Sequence, residues 1–263
     1  MLRFDHAIIA VYDLETARED YERLGFTVIS GGVHSSGLTC NALITFADGS
    51  YLELMAPTDP GLLKNPPPPG PGNYLFLFEA GEGFAGYSFV THDLDDIVRR
   101  VRSQGLVIGD PQRGGRRRSD GVDLVWSTAL LPDTASPFFL SDHTPRNLRV
   151  RDEPEITSHA NGALGTVGIV VLAERLEQAV HRYEALLNTK PEPTARLGSD
   201  TAASFRVLEF QVTLVAPEPS ASTLREQLTR RGEVPYEIRL RTASSGQVGS
   251  MCSHGANIEL VQL

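Results

Sequence analysis

At 263 residues with a formal net charge of −9, the chain has enough interior for one large domain or two ordinary ones without staples. The acidic balance argues against a general affinity for nucleic acid or anionic membrane. Two cysteines, Cys40 and Cys252, are too few for a disulfide framework and lie in no metal-binding spacing, which fits a reducing compartment.

The first stretch, Leu2 to Pro57, sets the pattern. An apolar strand, Ile8 to Val11, runs into Asp13-Leu14-Glu15 and a helix with Leu14, Ala17, Tyr21 and Leu24 on one face. Gly25 stops it. Strands are expected at Thr27 to Ile29 and Ala42 to Phe46, and Asp48-Gly49 turns the chain back into Tyr51-Leu52-Glu53-Leu54. The order is strand, helix, strand, strand, strand. A proline-rich connection, Asn65 to Gly72, must be an exposed loop because it lacks the N–H groups of a helix or central strand.

The same order returns from about Phe84 to His143. GYSFVT is a strand, and the helix after Asp93 turns Leu94, Ile97, Val98 and Val101 inward until Gly105. Leu106 to Ile108, Val122 to Thr128 and Pro137 to Leu140 read as its remaining strands. Between them Arg113 to Arg118 reads as a solvated loop, which could meet an anionic ligand.

After a joint containing His159 and Asn161, a third unit overlays the first, with Leu176…Tyr183 on Leu14…Tyr21 and Val212 to Pro217 on Leu52 to Pro57. Glu218 to Leu263 reads as a shortened fourth copy. Such a unit has one apolar sheet face covered by its helix and another that must close around something. Two units paired make an open barrel with a concave face for a small molecule.

DHAIIAVYDLETAREDYERLGF with GSYLEL, and the second unit's GVDLVW and PFFL, resemble the vicinal oxygen chelate superfamily, in particular its glyoxalase-like subgroup. The resemblance implies an α+β fold of repeated βαβββ modules paired into two open barrels with helices outside. The expected division is residues 1–150, with modules at about 2–57 and 84–143, and a degenerate half at 160–263, with modules at about 164–217 and 218–263.

In metal-dependent members, ligands come from the first and last strands of paired units, and a divalent ion chelates two adjacent substrate oxygens. Those positions fall here on His6 and Glu53. An imidazole and a carboxylate suit a divalent ion, with Zn, Fe, Mn and Ni all left open. The second unit offers Gly86 and Phe139 instead, and the third Gly168 and Thr213. The C-terminal half, lacking both ligand types, is expected to be structural. A third ligand would come from His34, Cys40 or His143. Alternation supports Glu53: with Leu52 and Leu54 under the helix, it points to the concave side, where an unpaired carboxylate would be costly. There it is the candidate proton-transfer group. His34, Asn41, Tyr51, Trp126 and Phe139 are candidate substrate contacts.

Two functions stay open. One is a metal-dependent lyase, isomerase or dioxygenase acting on a small oxygenated molecule. The other is a metal-free binding protein of the bleomycin-resistance type, since an aromatic in a ligand slot favours rings over ions. No apolar run approaches the roughly 20 residues that span a bilayer, and Met1 to Val11 lacks the layout of a secretory signal. A cytoplasmic protein, monomer or homodimer, is the expectation.

Overall fold

The computed structural model describes residues 1–68, 70, 72–192, 195–197, 200–218, 223–243 and 245–262, of which 195–197 are described as backbone. The first module comprises β1 (Arg3–Ala10), α1 (Leu14–Arg23), β2 (Ile29–His34), β3 (Thr39–Thr45) and β4 (Tyr51–Pro57). The second comprises β5 (Gly83–Val90), α2 (Leu94–Ser103), β6 (Gln112–Arg117), β7 (Asp123–Ala129) and β8 (Phe138–Asp142). Two single-turn helices follow, α3 (Arg146–Arg149) and α4 (Pro154–Thr157). The third module is β9 (Ala163–Leu172), α5 (Leu176–Leu187), β10 (Ala195–Leu197), β11 (Asp200–Val207) and β12 (Phe210–Ala216). The last part contains α6 (Thr223–Arg231), β13 (Pro235–Thr242), β14 (Gly249–Ser253) and β15 (Ala256–Val261).

The helices of the first two modules start alike. Asp13 and Asp93 accept the backbone N–H of Thr16 and Asp96 at 2.7 and 2.8 Å, satisfying donors that the first turn leaves free. Each helix ends before a glycine at positive φ, Gly25 and Gly105, where a side chain would be strained. Ala17 and Tyr21 of α1, and Leu94, Ile97, Val98 and Val101 of α2, are buried.

The first two modules close into an eight-stranded barrel ordered β1-β4-β3-β2-β6-β7-β8-β5. β1 runs parallel to β4 and antiparallel to β5. The ring is completed between β2 and β6 by the pairs Val33–Arg117 and His34–Arg116. Three expected elements differ. Leu106 to Ile108 forms no strand, and the arginine-rich run read as a loop is strand β6. The strand placed at Thr27 to Ile29 begins at Ile29 and continues to His34.

The C-terminal half is an open sheet among the described residues, ordered β10-β11-β12-β9-β13-β15-β14, so its closure departs from that of the N-terminal barrel. Its final module follows β13 with a 3₁₀ turn at Ser245–Gln247 and two strands, leaving no fourth strand to meet β10. One hydrophobic cluster runs through both halves. Phe4 stacks on Phe210 with centroids 3.9 Å apart, and Tyr87 and Tyr183 share a hydroxyl hydrogen bond. His159, expected at the joint, bonds the first module at Thr27 N–H and the Thr45 carbonyl oxygen.

Candidate active site

Alternation along β1 and β4 fixes the inner wall. Ala7, Ile9, Leu52 and Leu54 belong to the main core, while His6, Ile8, Tyr51, Glu53 and Met55 line the barrel cavity. This cavity contains about 760 Å³ of free space, mouth included. After the proline-rich stretch, the 3₁₀ turn Leu75–Phe78 folds across one end and packs Leu75, Leu77 and Phe78 on Ile8, Met55 and Ala85.

Glu53 sits between two imidazoles. His6 Nε2 lies 3.3 Å from Oε2 and His34 Nε2 lies 3.5 Å from Oε1, and Asn41 Nδ2 donates to Oε1 at 2.6 Å. All four residues are at most 4 % exposed. Both imidazoles are anchored at their other nitrogen. His6 Nδ1 meets Asp5 Oδ2 at 2.8 Å and Ser88 Oγ at 2.9 Å, and His34 Nδ1 meets Thr39 Oγ1 at 2.8 Å. The rings are also packed: Tyr51 stacks on His6 at 4.5 Å, and Trp126 stands edge-on to His34 at 6.3 Å.

Behind His6 lies an arginine-carboxylate network. Arg149 donates to both oxygens of Asp5 at 2.9 and 3.1 Å and to both of Asp142 at 2.6 and 2.9 Å. It also donates to Tyr51 Oη at 2.8 Å, and Arg146 pairs with Asp5 as well. Burial alone would raise the Asp5 carboxyl, but Arg149, the His6 hydrogen bond and Arg146 hold it well below the usual range. Burial would likewise raise Glu53, yet hydrogen bonds from His34 and His6 hold it well below. For His6, burial acts downward and the bonds to Asp5 and Glu53 outweigh it, so its basicity is raised.

The signs of these shifts set a stability window for the metal-free protein. Depressed carboxyls stabilise above their unfolded pKa of about 4 and lose that contribution as the pH falls through the folded value. A raised histidine stabilises below about 6.5 and loses its contribution as the pH rises through the folded value. Thermal melts from acid to neutral should therefore show a plateau between about pH 4 and 6.5, with the decline above it missing in His6→Asn.

Among the expected site residues, His6, His34, Asn41, Tyr51, Glu53 and Trp126 all line the cavity. Phe139 does not: it is fully buried in the main core, and Phe138 takes the wall. The register explains the one-residue error. Ile8 pairs with Glu53 as Ser88 pairs with Phe138, with Ala7 facing Tyr87 at the centre. Gly86 therefore occupies the slot of His6, and Phe138 that of Glu53. Cys40 packs against the core with its Sγ 3.8 Å from the Ala56 carbonyl oxygen. His143 bonds Ser127 Oγ at 2.8 Å and borders an outer cleft with Arg3 and His92. Neither reaches Glu53.

In the third module Gly168 and Thr213 stand in the two slots as expected. The fourth differs from the ligand-free expectation: register places Glu237 and Glu259 there. Both are paired to Arg239, at 3.0 and 3.1 Å.

Three residues escaped the sequence reading. Asp5 precedes His6, and strict alternation would put it on the opposite face. A register shift between Phe4 and His6 changes that, and Asp5 reaches the same imidazole. Arg116 was hidden in a run of arginines, though alternation along β6 separates it, buried, from exposed Arg117. Arg149 lies on a single turn without a motif.

The donors offer a divalent ion a two-histidine-one-carboxylate set, with each imidazole oriented by a second partner as metal-bound histidines are. Among the described residues, no three His, Cys, Asp or Glu side chains stand as a ready-made cage. Glu53 separates the imidazoles, and an ion would share its carboxylate.

Paired βαβββ modules around a buried polar centre define a vicinal oxygen chelate protein. Residues 4–187 match the model of the glyoxalase-like domain family, and the chain belongs to that family. A hypothetical protein from Staphylococcus aureus is similar over 100% of both chains, with TM-score 0.78 and 14% identity. A mutant 4-hydroxymandelate synthase from Streptomyces coelicolor is similar at TM-score 0.65 and 15% identity, over 97% of this chain and 78% of that one. A xylose isomerase-like TIM barrel/4-hydroxyphenylpyruvate dioxygenase fusion protein gives TM-score 0.57 at 15% identity, over 93% of this chain and 37% of that one. No curated protein matches. No helix among the described residues is long and apolar enough to cross a membrane.

Proposed function

We propose that the N-terminal barrel is the reaction chamber of an enzyme acting on a small oxygenated molecule, with a divalent ion held by His6, His34 and Glu53. The observation that carries this reading is the convergence of two anchored Nε2 atoms on one buried carboxylate at 3.3 and 3.5 Å. The ion would supply Lewis acidity toward two neighbouring substrate oxygens, in keeping with lyase, isomerase or dioxygenase chemistry. The chain's residues do the rest. Asp5 fixes the His6 ring, Tyr51, Trp126 and Phe138 hold an apolar substrate body and exclude water, and ionised Glu53 is placed to accept a proton. Metal analysis after loading should give about one ion per chain in the wild type, with affinity in His6→Ala, His34→Ala and Glu53→Ala lower by more than the about 10–100-fold that loss of a partner behind a ligand costs. Equal metal content in all four proteins overturns the assignment.

A second reading, a metal-free binding protein, draws on Gly86 and Phe138 in the partner slots and on the missing ready-made cage. It requires small-molecule affinity that is unchanged by chelator and by His6→Ala.

A further inference from the structure

Arg116 differs from the other guanidiniums of the barrel interior. It is 4 % exposed, lines the cavity, and forms no ion pair among the described residues. Its hydrogen bonds go to neutral acceptors, Asn41 Oδ1 at 3.0 Å and the Arg149 carbonyl oxygen at 3.2 Å. Its Nε is buried without a hydrogen-bond partner. Arg149 and Arg146, by contrast, are each matched to Asp5 and Asp142. Glu53 acts on it only from across the Asn41 amide, and holding a guanidinium in a protein interior with no counter-charge in contact is costly. The arrangement is satisfied when a ligand brings the anion, and a carboxylate fits the planar fork better than any neutral head group. The same cavity is lined by the aromatic side chains of Tyr74, Trp126 and Phe138.

Resting on the reading of the barrel as a small-molecule chamber, we infer that its substrates are carboxylates with an apolar or aromatic body, and that Arg116 is the residue that selects the acid. The Asn41 amide then has two tasks. It carries Arg116 on its oxygen and Glu53 on its nitrogen, spacing the substrate's anionic end from the ionised carboxyl that would repel it.

The chain's single tryptophan, Trp126, is in the cavity wall, so its fluorescence reports occupancy directly. The test titrates wild type, Arg116→Gln and Arg116→Lys with 3-phenylpropanoate and with the neutral 3-phenylpropanamide, each with and without chelator. The wild type should bind the acid at least about tenfold more tightly than the amide. That preference should vanish in Arg116→Gln, be partly kept in Arg116→Lys, and survive chelator, while amide affinity stays level. Equal binding of acid and amide by the wild type, which no folding defect can produce, overturns the inference and leaves the chamber reading standing. A preference that persists in Arg116→Gln, or that disappears with the ion instead, also overturns it. If neither probe changes Trp126 emission, the chamber reading fails with it.

Discussion

Arg149→Ala is expected to lower the unfolding free energy by about 3–5 kcal/mol, the cost of stranding buried charge. Arg149 and Asp5 are both almost wholly removed from water, and Arg149 satisfies Asp5 and Asp142 at once. Its removal leaves two carboxylates sharing Arg146, with the His6 imidazole as the other partner of Asp5. The damage should not stop at stability. Tyr51 loses the donor to its hydroxyl and Asp5 loses the partner that does most to keep it ionised, so the cavity floor loosens. Urea denaturation of Arg149→Ala beside Asp5→Asn/Arg149→Met separates the two contributions, because the double variant removes charge from both sides. It should recover part of the loss. A single-variant cost under about 1 kcal/mol, the range of a surface pair, would show that the network is solvated.

The second large effect is expected at Gly32. Its φ of +135° is strained for any side chain, and a Cβ there would strike the Arg117 carbonyl oxygen. Arg117 lies on β6, opposite Val33, where the barrel closes through two residue pairs. Gly32→Ala must therefore twist β2 or push β6 away, at about 2–4 kcal/mol for strain and overpacking together. Because the other pair is His34 with Arg116, the displacement falls on two site residues. Metal uptake and Trp126 quenching should both fall in the Gly32→Ala protein. Gly37→Ala in the same hairpin is the control. Its φ is +73° but nothing lies within 4 Å of its Cβ, so only about 1 kcal/mol of backbone strain is expected. Matching melts and matching metal content for the two variants would show that closure does not position the site.

The paired modules were legible because they repeat a local grammar: an apolar strand, an aspartate cap, a helix face and a glycine stop. Glu53 was legible for a related reason, since Leu52 and Leu54 had to face the helix and period two did the rest. Phe138 was missed by one residue because the overlay of closing strands carries no register of its own. That register comes from pairing with β5. Arg116, Arg149 and Asp5 were illegible for a deeper reason. Each is polar at a position where composition predicts water, and what buries them is contact between segments far apart, 75 residues between Asn41 and Arg116 and 144 between Asp5 and Arg149. His34 lies beyond the strand expected at Thr27 to Ile29, whereas it ends strand β2.

The stacking of Phe4 on Phe210, with Phe89 edge-on at 6.1 Å, gives the second half a part in holding the barrel wall. β1 carries His6 on its inner side and presses Phe4 outward into that aromatic knot. The open sheet acts as a splint along the back of the strand that carries the imidazole. Packing on the outer face of a strand can in this way decide how firmly a side chain on its inner face is aimed.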